Sequence, residues 1–141
     1  LVAEQSSSVV EWNRVHVGDL AGRPLEDPRV SVRVGDVRQR IREARAAYDL
    51  ILLDVDNGPD ALIHDANAHL YDATGVVACH RALTERGALA VWALGPDAGY
   101  LRRLQRSGFD ASAVRVAPRP GAGGRKHVVF VAVKAVTRGG R

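Results

Sequence analysis

Residues Tyr48–Pro59 read YDLILLDVDNGP. Leu50, Ile51, Leu52 and Leu53 form an unbroken apolar run between Asp49 and Asp54, and an unbroken run, unlike an alternating one, suits a central strand of a parallel sheet, covered on both faces. The run stops at Asp54, and Asp56, Asn57, Gly58 and Pro59 follow at once, residue types that end regular structure and build a turn. Open α/β sheets bind their ligands beyond the carboxyl ends of the strands. Asp54 and Asp56 are therefore candidate site residues, since two carboxylates with the amide of Asn57 can hold a cation or take a proton from an amine. The competing reading makes Asp54 a helix cap and Asp56 a solvated turn residue.

Upstream, Leu1-Val2-Ala3-Glu4 is a short apolar run closing on an acid, and Ser6, Ser7 and Ser8 are candidate caps for a helix through Val9–Asn13. Glu4 becomes a strand-end carboxylate, able to accept hydrogen bonds from both hydroxyls of a ribose. The chain opens inside an apolar run without methionine, and the expectation is that further sequence precedes it. His16–Leu25 is polar, with Gly18, Gly22 and Pro24, and reads as a loop. Val30, Val32 and Val34 alternate with Ser31 and Arg33, the pattern of an outer strand with one wet face. Gly35-Asp36 ends it, and a helix over Val37–Ala47 follows. Asp36 can cap that helix or, with the N–H of Val37, read the edge of a base.

Downstream, residues 60–72 are polar and long for a connection. His64, Asp65 and His69 have helix-face spacing, but no third ligand completes a metal set and none is assigned. Val76, Val77, Cys79, His80 and Leu83 give a helix closed by Glu85-Arg86-Gly87, with Cys79 in the core. Ala88–Leu94 is a second interior strand, and Asp97 caps a helix over Ala98–Ser107 whose Tyr100, Leu101 and Leu104 face the sheet. Phe109–Val116 and His127–Val136 are strands joined by a glycine- and proline-rich segment, as in an antiparallel pair. The fold class is α/β: one Rossmann-like, doubly wound, mostly parallel sheet with an antiparallel carboxyl-terminal strand, forming a single domain over 1–136 before a disordered basic tail at 137–141.

The 141 residues carry 20 Lys+Arg against 16 Asp+Glu, a net charge of +4, with the excess gathered near Arg119–Lys126 and Arg138–Arg141. Aromatic residues make up 5% and are not interleaved with the basic ones as stacking on single strands requires, which argues against a nucleic-acid protein. Cys79 stands alone, so neither a disulfide framework nor a thiolate metal site is available, and the cytoplasm is the expected compartment. No apolar run approaches the ~20 residues of a membrane span, and Leu1–Val10 lacks the features of a signal peptide.

Glu4, Gly35-Asp36, DVDNGP at Asp54–Pro59 and ALTERGALA at Ala82–Ala90 together resemble, in order, the motifs of the spermidine synthase (polyamine aminopropyltransferase) family, with its class I S-adenosylmethionine-dependent transferase fold. The resemblance spans Leu1 to about Ala135. It implies that Glu4 binds the ribose hydroxyls of the co-substrate, that Asp36 and Val37 recognise the adenine, and that Asp54 is the strand-end catalytic acid. DVDNGP is two residues shorter than the family's D-S/T-x-D-P-x-G-P, so either Asp56 or Asn57 stands at its second acidic position. The implied reaction is transfer of an aminopropyl group from decarboxylated S-adenosylmethionine to a diamine such as putrescine, without a metal, by a homodimer. A methyltransferase using S-adenosylmethionine is the alternative, and a non-catalytic relative binding nucleosides, or nucleic acid through Arg119, Arg125 and Lys126, is a third reading. The family's glycine-rich loop lies before Leu1, on a strand between those ending at Glu4 and Asp54, so the sheet is expected to be incomplete at its amino-terminal side.

Overall fold

The computed structural model describes residues 1–55, 58–59, 67–117 and 127–135. The chain divides into two compact units, Leu1–Arg40 and Ile41–Arg141.

In the first unit, β1 (Val2–Glu4) runs parallel to β2 (Val32–Val34), pairing Val2 with Val32, Ala3 with Arg33 and Glu4 with Val34. Helix α1 (Ser7–Trp12) starts where the Ser6 hydroxyl accepts the Val9 N–H at 3.4 Å. The stretch expected to be a loop is built from short helical turns instead, a π turn at Asn13–Val17 and 3-10 turns at Gly18–Ala21 and Pro24–Glu26. Local pairing supports them, since Arg23 joins Asp19 and, at 2.6 Å, Glu26, the (i,i+4) and (i,i+3) neighbours that a helical turn brings together. Helix α2 covers Val37–Glu43, four residues short of the expected end, and Ala46 then takes a positive φ of 44°.

The second unit contains β3 (Tyr48–Leu53), α3 (Ala68–Tyr71), α4 (Ala73–Ala82), β4 (Leu83–Ala93), α5 (Ala98–Arg106), β5 (Phe109–Val116) and β6 (His127–Lys134). Its four strands lie in the order β3-β4-β6-β5, with β3 and β4 parallel and β6 antiparallel to both neighbours. The antiparallel carboxyl-terminal strand is therefore present. The described strands form two sheets, not the single one expected: β1 and β3 each pair along one edge only among the described residues.

One face of the four-stranded sheet is dry. Ile51 and Leu53, Leu89 and Val91, Val128 and Phe130 are buried there together with Tyr71, Val76, Cys79, Tyr100 and Leu104 from α3, α4 and α5. Aromatic edges meet in this layer, the Tyr100 ring standing 5.1 Å from Phe130 and 5.8 Å from Tyr71 at interplanar angles of 85° and 82°. The other face is open, which corrects the expectation of a strand covered on both sides: Leu50 is 54% and Leu52 69% exposed, against 8% for Ile51 and 3% for Leu53. Strand geometry sends successive side chains to opposite faces, so an unbroken apolar run is buried twice over only if layers lie on both.

The carboxyl end of α4 also departs from expectation. Leu83 is already extended (φ −80°, ψ 146°) and pairs with Tyr48, whereas the next pair is Leu50 with Ala88, so the residues between are extruded from the ladder. Gly87 is thus not a helix cap. It lies against Leu83, where an added Cβ would stand 2.9 Å from the Leu83 Cβ. The Asp97 cap holds, its carboxylate accepting the Tyr100 N–H at 2.8 Å, and Asp72 does the same for Gly75 at 2.8 Å at the start of α4.

Candidate functional site

The first unit brings Glu4, Asp36 and Val37 to one place, the carboxyl ends of two adjacent parallel strands. The ladder continues one step past its last pair, the Gly35 N–H donating to the Glu4 carbonyl at 2.9 Å. Gly35 adopts φ +148°, a region that residues with a Cβ rarely enter, which explains glycine before Asp36. One Glu4 carboxylate oxygen accepts the Ser6 N–H at 2.7 Å; the other has no partner among the described residues. Asp36 is committed to Arg38, accepting its N–H at 2.8 Å and its guanidinium Nε at 2.9 and 3.0 Å, with Nη2 at 2.8 Å. This contact raises the Arg38 guanidinium above its usual range through the Asp36 hydrogen bond. A base amino group approaching Asp36 would share its oxygens with Arg38.

In the second unit Asp54 is exposed at the carboxyl end of β3. Asp56 lies outside the described residues, as do His64, Asp65, Arg119, Arg125 and Lys126. Two contacts hold the described residues just past Asp54, Val55 and Gly58. The buried Tyr71 donates its hydroxyl to the Val55 carbonyl at 2.5 Å, and Arg103 donates to the Tyr71 carbonyl at 2.8 Å. Gly58, at φ +91°, presses against the end of β4: a Cβ there would lie 2.5 Å from the Ala93 Cβ and 3.1 Å from the Trp92 carbonyl. The same end of the sheet carries Trp92 and His127, rings 5.0 Å apart and tilted by 32°. Tyr71, Arg103, Trp92 and His127 escape a sequence reading because each acts across a tertiary contact; only strand register brings the last two together.

Among the described residues the other titratable groups do not gather. His69 pairs with Asp72 at 3.1 Å, and among the described residues no three His, Cys, Asp or Glu side chains converge as a metal site would need. Partial burial works against ionising Asp72, yet hydrogen bonds from Thr74, the Gly75 N–H and His69 hold it down to about 2. Burial pushes the Cys79 thiol up to about 12, too high for a nucleophile near neutral pH.

With the geometry established, similarity to known proteins narrows the fold. No protein-family model matches the chain. A solved spermidine synthase in complex with the transition state analogue AdoDATO superposes with a TM-score of 0.75 over 95% of this chain at 20% identity. The fold is that of the spermidine synthases. A 54-residue segment is 32% identical to the polyamine aminopropyltransferase of Korarchaeum cryptofilum (strain OPF8), covering 38% of this chain and 17% of that protein. The fold extends to methyltransferases: the 1,6-didemethyltoxoflavin-N1-methyltransferase of Burkholderia thailandensis, solved with 1,6-didemethyltoxoflavin and S-adenosylhomocysteine, gives a TM-score of 0.53 at 18% identity over 84% of this chain and 56% of its own. The chain spans 46% of the length of the spermidine synthase it matches. Among the described residues no helix is long and apolar enough to cross a membrane.

Proposed function

We propose that the chain is a transferase domain of spermidine synthase type, moving an aminopropyl group from decarboxylated S-adenosylmethionine to a diamine such as putrescine. The observation that carries the reading is the placement of its acids: Glu4 closes β1, Asp36 comes just after the end of its parallel partner β2, and Asp54 follows the end of β3. Glu4 fits the ribose, because a carboxylate oxygen without a partner can accept its hydroxyls while the other stays on the Ser6 N–H. Asp36 and the start of α2 at Val37 fit an adenine edge, provided Arg38 yields part of the Asp36 carboxylate.

The co-substrate supplies a carbon bonded to a sulfonium, whose neutral thioether leaves without acid assistance. Orienting the amine and removing its proton are the tasks left to the protein. The amine nitrogen bonds to that carbon as the carbon–sulfur bond breaks, methylthioadenosine departs, and the ammonium proton passes to Asp54; Asp56 serves as a second anionic anchor. No metal takes part. A homodimer and a cytoplasmic location belong to the same proposal, the first open to light scattering.

The methyltransferase likeness favours a second reading, transfer of a methyl group from S-adenosylmethionine. Calorimetry against S-adenosylmethionine, its decarboxylated form and methylthioadenosine separates the two: preference for the decarboxylated form supports aminopropyl transfer. Glu4→Ala and Asp36→Ala should each cost about 1.5–3 kcal/mol of nucleoside binding, the range for hydrogen bonds to a charged group. Asp54→Asn should lower turnover by about 10²–10⁴-fold at nearly constant nucleoside affinity. Normal turnover in that variant removes Asp54 as the base.

A further inference from the structure

At the end of β3 opposite Asp54, two guanidinium groups meet at one backbone oxygen. Arg45 Nη1 donates to the Arg42 carbonyl at 2.8 Å, and Arg81 Nη2 donates to the same carbonyl at 2.9 Å. Main-chain bonds fasten the two segments that carry them: the Ala46 N–H donates to the Arg81 carbonyl at 2.9 Å and the Ala47 N–H to the Ala82 carbonyl at 2.8 Å. Arg45 Nη1 is held a second time, by the Ala44 carbonyl at 2.8 Å. Nitrogens bonded to a single oxygen lie within about 6 Å of one another, a separation at which like charges repel even near water. Neither guanidinium has a carboxylate partner among the described residues. Asp49, at the same end of the strand, is bonded to the Thr84 hydroxyl at 2.9 Å. A single cation satisfies a carbonyl at the end of a helix such as α2, so the second charge gathered here exceeds what capping requires. Both arginines are exposed and open to a ligand.

We propose that Arg45 and Arg81 form a seat for a phosphate dianion, free or as a monoester, remote from the transfer site. Each guanidinium spends only part of its five-donor fork on the Arg42 and Ala44 carbonyls. Phosphate oxygens match such forks bidentately, and the two negative charges of a phosphate offset both cations, whereas a carboxylate offsets one. Strand β3 separates the seat from Asp54: at ~3.3 Å per residue, Tyr48–Leu53 spans about 20 Å, so an anion held by Arg45 and Arg81 touches neither the co-substrate nor its acceptor. The seat is therefore independent of the transfer reaction and stands or falls without it.

Inorganic phosphate and glycerol 2-phosphate, titrated at low ionic strength above neutral pH, should shift the nuclear magnetic resonance signals of the Ala46 and Ala47 amides and of both guanidinium Nε groups saturably. Acetate at matched ionic strength should not. Calorimetry should show Arg45→Gln and Arg81→Gln each binding inorganic phosphate about three- to ten-fold more weakly, exposure tempering a charge-assisted bond. Arg81→Lys keeps the charge without the fork and should not restore the affinity. Arg106→Gln removes the same charge from the exposed end of α5 and should leave the affinity unchanged, with circular dichroism separating a folding defect from a lost ligand. Tighter binding of glycerol 2-phosphate than of inorganic phosphate assigns the seat to a monoester, and the reverse assigns it to the free anion. Unmoved Ala46 and Ala47 signals, an equal response to acetate, or an equal loss in Arg106→Gln overturns the seat and leaves the nucleoside site untouched. Displacement of the phosphate by methylthioadenosine overturns it as well, since the anion would then lie in the nucleoside site.

Discussion

Tyr71→Phe tests the hydrogen bond from this side chain to the residue after Asp54. The side chain is 2% exposed, and phenylalanine keeps its edge contact with Tyr100 and the main-chain carbonyl that receives Arg103. What disappears is the hydroxyl donating to Val55 at 2.5 Å, immediately after Asp54. A typical bond of this kind contributes about 0.5–1.5 kcal/mol net, and a carbonyl stranded away from water costs about 1–3 kcal/mol. Val55 is only part-buried, so water replaces some of the loss, and about 1–2 kcal/mol is expected. A domain stable by ~5–15 kcal/mol remains folded after such a change. Urea unfolding should show a lower midpoint at constant m, by roughly 0.5–1 M for a small domain. Hydrogen exchange should quicken at the Val55 and Gly58 amides before it does in β4. An unmoved midpoint with unmoved exchange would refute the idea that this hydroxyl anchors the turn carrying Asp54.

Asp97→Ala removes the cap of α5 and should cost about 1 kcal/mol in the same unfolding assay, with Asp97→Asn recovering most of it. Partial burial, then the nearby Lys134 ammonium, holds the His80 imidazole below its ordinary 6.5, a bond to the Gly108 backbone opposing them. The unfolded chain therefore takes up this proton first as pH falls, so the contribution of His80 to stability is complete above about 6.5 and is lost below it; His80→Leu should flatten the midpoint-against-pH curve between pH 7.5 and 5. Gly58→Ala must displace the turn from Ala93 and also force φ +91° on a residue with a Cβ, and should destabilise more than a substitution at the open Gly95.

Element order was legible because it depends on local signals. Caps at Ser6 and Asp97 and the apolar stripe through Tyr100 and Leu104 are short-range patterns, and each appears where those patterns put it. Burial of β3 was not legible, since LILL reads the same whether one or two layers cover it. The helix end at Ala82 was missed for a related reason: Leu83 fits the apolar stripe of α4, and only pairing with Tyr48 in another strand draws it out of the helix. Asp36 was read correctly as a residue at the head of α2, but its capture by Arg38 depends on side-chain conformation. Trp92 and His127 are 35 positions apart and meet through a register that no local pattern encodes.

The extruded segment between Leu83 and Ala88 has a consequence for how such chains change length. Its ends are fastened independently: Leu83 by its pairing with Tyr48 and by Lys134 donating to its carbonyl at 3.0 Å, Ala88 by its pairing with Leu50, while Thr84 ties the near side to Asp49 at 2.9 Å. Beyond Ala88 the register is locked by Leu89, Val91 and Ala93, which reach the dry face only in one phase. A residue gained or lost within β4 proper would turn that face outward, whereas one gained or lost at Glu85 or Arg86, both exposed, leaves the phase intact. The bulge acts as a slack joint where relatives of this chain can accumulate insertions and deletions without disturbing the strand that carries Trp92.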